Sequence, residues 1–248
     1  TPEEYVKRVL GRKALGFTFI KFDITSRVLT PDVLIGKPSE YEYMRGRGGA
    51  PGSQFGARVT DEGIRRMAEI AMAVRQAVGW DTSLCIDHFG HGFMTAKEVI
   101  KLGRALEPVG LGWMEDPMPW WDVEGHRQVT QAITTPTAAG EELYLWDGFR
   151  EFIEKRAVDI IHPDLLTSGG MLETKKIADY AERYGIPTAL HFAGSPIAFM
   201  ANVHCAAAIS SFVALENHAV DLPFWKHLVT GMDDPWMENG FTRVPDKP

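Results

Sequence analysis

Cysteine is scarce, with only Cys85 and Cys205 in 248 residues, which excludes a disulfide framework. Both fall in apolar runs, as buried thiols of a reducing compartment do. No apolar stretch approaches the ~20 residues needed to cross a bilayer, and the first residues lack the charged-then-apolar layout of a secretory signal. Basic surplus is missing too, since the formal net charge is -7. Without a stripe of Lys and Arg to neutralise phosphates, nucleic acid is excluded as an expected partner. Low-complexity tracts and internal sequence repeats are also lacking. These absences leave a cytoplasmic protein that meets neither membrane nor nucleic acid as the expectation.

A regular alternation is present instead. Hydrophobic residues make up 45% of the chain, enough for one large core, and a single domain over residues 1–248 is the simplest organisation. Short β-branched and apolar runs read as strands: FTFIKFD (17–23), SLCIDH (83–88), GWMED (112–116), PTAAGE (136–141), VDIIHPD (158–164), PTALH (187–191) and FVALE (212–216). Segments of helical period lie between them, at 61–78, 94–107, 123–133, 147–155, 170–184 and 196–209, and a further helix opens the chain at 3–10. His204 and Cys205 fall within the last of these segments and are read as core.

Nearly all-apolar strands separated by helices predict a parallel sheet covered on both faces. No glycine-rich dinucleotide loop follows the first strand, so an α/β fold of the (β/α)8 TIM-like barrel type is expected over an open sheet. Seven strands can be counted where eight are needed. The start at Thr1 points to a fragment whose first strand lies upstream. Residues 25–59 are too long for an ordinary βα loop and include RGRGGAPG, which predicts a lid-like insertion over the catalytic face.

The ionisable residues fall on this rhythm. Asp87, Glu115, Glu141, Asp164, His191 and Glu216 each end a successive strand, at spacings of 28, 26, 23, 27 and 25 residues. In a barrel the C-terminal strand ends converge on one mouth. One such residue is most simply a solvated surface group, but six in register make that reading poor for the set. Asp87, Glu115 and Glu141 supply the hard oxygen ligands that Mg²⁺ prefers, one ion per chain. Asp164 and His191 follow as a carboxylate beside an imidazole, the arrangement of a general base working near neutral pH. Such a pair suits proton abstraction next to a carboxylate, with a divalent cation stabilising the developing charge.

The ordered series IKFD, CIDH, WMEDP, AAGEELY, IIHPD, TALH and ALENH resembles the barrel domain of the enolase superfamily, in its mandelate racemase and acid-sugar dehydratase branch. The resemblance runs from about Gly16 to His218. It implies that Asp87, Glu115 and Glu141 are the Mg²⁺ ligands, that Asp164 and His191 are the catalytic dyad, and that Glu216 binds the substrate carboxylate. Lys21 and Asp23 match the two second-strand positions, where Asp23 replaces the usual amine or amide, so Lys21 is expected to neutralise the substrate carboxylate or to serve as a second base. The N-terminal capping domain of the family has no counterpart in this sequence. The resemblance further implies a small sugar-acid substrate and a homo-oligomer.

Galactonate-type dehydratases are similar at IDHFGH but carry a histidine two positions after the first ligand, where this chain has Phe89. Strand alternation sends His88 to the opposite face from Asp87, and His91, after Gly90, is left as a candidate acid or substrate ligand. Trp120 and Trp121 are candidates to line the sugar pocket or to pack its rim, His162 for a pocket or structural place, and Glu142 for contact with the third metal ligand. The leading expectation is a hydro-lyase that converts a sugar acid to its 2-keto-3-deoxy acid. The alternatives are a racemase, epimerase or cycloisomerase using the same first step, and a barrel that binds metal or sugar acids without turnover.

Overall fold

A computed structural model describes residues 1–25, 28–29, 31–35, 58–87, 94–233 and 235–246. These fall into two compact units, Thr1–Thr137 and Ala138–Pro248. The expected lid-like insertion at 25–59 lies for the most part outside the described residues, and His88, Phe89 and His91 lie outside them as well. Among the described residues no helix is long and apolar enough to cross a membrane.

In the first unit, helix α1 (Pro2–Ala14) starts at Thr1, which forms a capping box with Glu4, and it packs on α2 (Asp61–Val78). Three parallel strands follow one another as neighbours: β1 (Phe19–Asp23), β4 (Ser83–Asp87) and β5 (Met114–Glu115). A short antiparallel pair, β2 (Leu34–Ile35) with β3 (Arg58–Val59), precedes α2. Thr60 caps α2 by accepting from the Gly63 amide. The helix buries Ile64, Met67, Ala71, Val74 and Val78, a stripe at helical spacing that meets Ile20, Leu84 and Ile86 of the sheet. Burial of each large side chain contributes roughly 1.5–3 kcal/mol, so packing, more than propensity, holds α2 in place. The helix stops at Gly79, whose φ of 85° suits a residue without a Cβ.

Two polar residues are buried in this unit for structural reasons. Arg75 donates to the carbonyls of Gly79, Thr82, Val109 and Gly110, at 2.7–2.9 Å, and its guanidinium lies 4.8 Å from the ring of Trp80. It ties the end of α2 to the entrance of β4 and to the turn before β5. Helix α3 (Ala96–Leu106) follows β4, and His126 is fully buried in α4 (Val123–Ala132), where burial pushes its pKa down to about 4, opposed in part by the backbone of Met118 and Pro119. Because the folded pKa is below the ordinary 6.5, the unfolded chain takes up this proton first as pH falls. Stability is therefore complete above about pH 6.5 and is lost as pH falls toward 4, by roughly 2 kcal/mol between pH 7 and pH 5. Urea unfolding at those two pH values should show a smaller acid loss for His126→Gln than for the parent chain; equal losses would refute this account.

The second unit continues the alternation with β6 (Thr137–Ala139), α5 (Leu145–Glu154), β7 (Ile160–Ile161), α6 (Gly170–Arg183), β8 (Thr188–Leu190), α7 (Pro196–Ala208) and β9 (Phe212–Leu215); Thr137 itself counts with the first unit. The strands pair in parallel in that order. Leu190 packs with Ala178, Cys205, Ala206 and Ile209. A second cluster joins Phe192, Phe199 and Trp225, and the Trp225 indole donates to the Gly194 carbonyl at 2.7 Å. His204 is exposed on α7, contrary to the expectation of a core residue, while Cys205 beside it is buried. Asp87 and Glu115 are the last residues of their strands, whereas Glu141, Asp164, His191 and Glu216 stand one to three residues past the ends of theirs.

Candidate active site

The register of the first unit places Asp23 opposite Asp87, and Asp87 opposite Glu115. Asp87 and Glu115 are almost wholly buried, at 3% and 0% exposure, so their charges need compensation. Lys21, two residues before Asp23 on β1, provides it: its Nζ lies 2.5 Å from Glu115 Oε1 and 3.5 Å from Asp87 Oδ2. Trp113 donates from Nε1 to Glu115 Oε2 at 3.0 Å. Asp116 is buried next to Glu115, with a φ of 40°, and offers a further oxygen within 4.8 Å of Asp87 and Glu115. Buried carboxylates at adjacent strand ends form an all-oxygen donor set, which fits a hard divalent cation. Asp23 is exposed, with its carbonyl taken by the Tyr5 hydroxyl at 2.9 Å.

In the second unit, Gly140 sets the position of Glu141. Its φ of 147° belongs to glycine, and a Cβ there would meet the His162 backbone at 3.0 Å. Asp164 accepts from the Leu166 amide through Oδ1 at 2.7 Å, which leaves Oδ2 to hold His191 Nδ1 at 2.7 Å. With the ring fixed in this way, His191 Nε2 stands 3.0 Å from Glu141 Oε2 and 3.6 Å from Glu216 Oε2. Glu216 is held by the Phe192 amide at 3.4 Å and by His218 Nε2 at 2.8 Å. His162 is buried, with Nε2 3.6 Å from Glu216 Oε2 and its ring edge-on to His191 at 5.7 Å. Glu142 is raised to about 7, first by burial and then by the charge of Glu141.

Lys21, Asp87 and Glu115 thus come together in one unit, and Glu141, Asp164, His191 and Glu216 in the other, while the predicted Asp23 and Trp120 are exposed. Trp120 and Trp121 form an exposed edge-to-face pair, 5.4 Å between centroids. Trp113 and His218 were not expected from sequence. Trp113 stands two residues before Glu115, so strand alternation is the signal that would have found it, whereas His218 lies on the loop past β9, where alternation no longer applies.

The model of the family described as enolase C-terminal domain-like matches residues 4–248. The chain is 38% identical to the D-xylonate dehydratase of Haloferax volcanii, over 94% of this chain and 51% of that protein. It is 30% identical to the D-gluconate dehydratase of Thermoproteus tenax, over 77% of this chain and 38% of that one. Among solved structures, the mandelate racemase/muconate lactonizing enzyme-like protein of Rubrobacter xylanophilus superposes with a TM-score of 0.83 at 31% identity, covering 99% of this chain and 57% of its own. The chain spans about half the length of the curated relatives it matches.

Proposed function

The chain belongs to the enolase superfamily, as a C-terminal (β/α) barrel domain, and from that premise we propose that it carries the active site of a Mg²⁺-dependent sugar-acid dehydratase. The observation that carries this reading is the Asp164–His191 pair, with Nδ1 held at 2.7 Å and Nε2 turned toward Glu141 and Glu216. Asp164 keeps the proton on Nδ1 and stabilises the imidazolium once it forms. His191 Nε2 then takes the proton α to the substrate carboxylate, and the electron pair of that C–H bond is left on C2. It forms the C2–C3 double bond as the C3–O bond breaks, and the departing hydroxyl takes up a proton and leaves as water. The resulting enol tautomerises to the 2-keto-3-deoxy acid. His191 on its own face, or His91, supplies the leaving-group proton.

By the family pattern, Asp87, Glu115 and Glu141 would hold the Mg²⁺, one per chain. A bound Mg²⁺ supplies electrostatic stabilisation of the charge that develops at the substrate carboxylate. Glu216, Trp120 and Asp23 are assigned to the substrate, with Lys21 at its carboxylate. Lys21 also bears on the choice of reaction. Racemisation needs a base on the face opposite His191, and an amine engaged as a cation by Glu115 and Asp87 is poorly placed for that work. This favours elimination over epimerisation. A homo-oligomer in the cytoplasm is part of the same proposal.

The test is a screen of aldonic and aldaric acids with the full-length protein and Mg²⁺, with 2-keto acid detected as its semicarbazone. Turnover of a pentonate or hexonate to a 2-keto-3-deoxy acid is expected. Epimerised sugar acid without keto acid would overturn the dehydratase reading and keep the base. Metal binding without α-proton exchange on any acid would leave the non-catalytic barrel as the better account.

A further inference from the structure

The proposed reaction gives no task to His218, an exposed residue on the loop after β9. Its Nε2 stands 2.8 Å from Glu216 Oε1, while His191 Nε2 stands 3.6 Å from the other oxygen of that carboxylate. The two rings lie 6.2 Å apart between centroids, and one ligand atom from each of the three residues falls within 4.8 Å of the others. We propose that His191, Glu216 and His218 form a second cation site, which takes Zn²⁺ and in doing so shuts off the base.

The donor chemistry separates this site from the all-oxygen one. Two imidazoles and a carboxylate match a four-coordinate Zn²⁺ with one position left for water, whereas Mg²⁺ selects oxygen and sheds its own water reluctantly. Tetrahedral ligation at about 2.0–2.1 Å puts neighbouring donor atoms roughly 3.3 Å apart. One donor atom from each of the three residues lies within 4.8 Å of the others, so torsions of Glu216 and of the exposed His218 that close them to that spacing complete the set. His191 already has the outer support of a zinc ligand. Its Nδ1 is bound to Asp164, which is itself anchored by the Leu166 amide, and its Nε2 faces the Glu216 carboxylate. Glu141, 3.0 Å from Nε2, adds negative charge beside the ion. The exposure of His218 gives the ion a way in.

The consequence for chemistry is direct, because the lone pair that would bind Zn²⁺ is the one that removes the α-proton. His191 keeps its Nδ1 proton on binding, and His218 carries its remaining proton on the outer nitrogen, Nδ1. Zn²⁺ is thus expected to inhibit in competition with the substrate and without displacing Mg²⁺.

The experiment titrates Zn²⁺ calorimetrically into protein saturated with Mg²⁺, for the parent chain, His218→Ala and His218→Gln, and repeats the series with Co²⁺ followed by visible absorption. The parent should bind one Zn²⁺ beyond the Mg²⁺ and give the absorption of tetrahedral Co²⁺. Both variants should bind Zn²⁺ at least tenfold more weakly and lose that absorption, and more Zn²⁺ should be needed to stop their α-proton exchange. The proposal is overturned if the Mg²⁺-loaded parent takes up no further Zn²⁺, or if both variants bind it as the parent does. The binding arm needs no turnover. If no sugar acid reacts and Zn²⁺ binding still depends on His218, the dehydratase reading fails while this site stands.

Discussion

His191→Asn is expected to lower exchange of the substrate α-proton with deuterated solvent by on the order of a thousandfold, and to leave Mg²⁺ bound. A positioned general base contributes about 10²–10⁴ in rate, and asparagine has no lone pair where Nε2 stood. The asparagine amide can still donate to Asp164 Oδ2, where Nδ1 now lies at 2.7 Å, so the fold around β8 is kept. Asp164→Asn should lose activity by a comparable route, because an amide facing Nδ1 forces the proton onto Nε2 and removes the basic lone pair. Proton NMR of a turned-over or non-eliminating sugar acid measures the exchange, and calorimetry measures the metal. Persistent exchange in His191→Asn would move the base elsewhere, with Lys21 the first residue to replace next.

Much of this was legible because a parallel α/β chain advertises its topology in one dimension. Each strand must be buried on both faces, so its apolar run ends where the chain turns toward the site, and the first polar residue past the run marks the C-terminal end. Asp87, Glu115, His191 and Glu216 were found in that way, each within one residue of the end of its strand. Boundaries were less legible: Asp164 stands three residues past β7, since His162 and Pro163 continue the apolar burial without pairing as strand. His204 shows the limit of pattern on α7, where an almost continuous apolar run hides which face is outward. The ionic partners were illegible as well. That Lys21 meets Glu115 follows from the register of β1, β4 and β5, and no spacing along the chain reports register between strands. His218 escaped for a similar reason, since its partner oxygen is fixed by the rotamer of Glu216.

Glu115→Gln is expected to weaken Mg²⁺ binding by on the order of a thousandfold. Each unit of the cation's charge attracts a carboxylate about 4 Å away by about 4 kcal/mol at an effective dielectric of ~20, so even one such unit amounts to roughly three powers of ten in affinity. Glutamine keeps the size of the fully buried side chain and can still accept from Trp113 Nε1, so the loss reads the charge and not the packing. Lys21→Met makes the converse argument. The Lys21 ammonium now lies against the same two carboxylates that the cation would use, 2.5 Å from Glu115 and 3.5 Å from Asp87, so it competes with Mg²⁺ for them. Its removal takes a cation away from two buried carboxylates, which destabilises the metal-free chain and tightens Mg²⁺ binding through the same free energy. Calorimetric titration of both variants, with thermal unfolding in the presence and absence of Mg²⁺, separates the cases. Unchanged Mg²⁺ affinity in Glu115→Gln would remove Glu115 from the ligand set. Weakened affinity in Lys21→Met would instead make the lysine part of what organises the carboxylates for the ion.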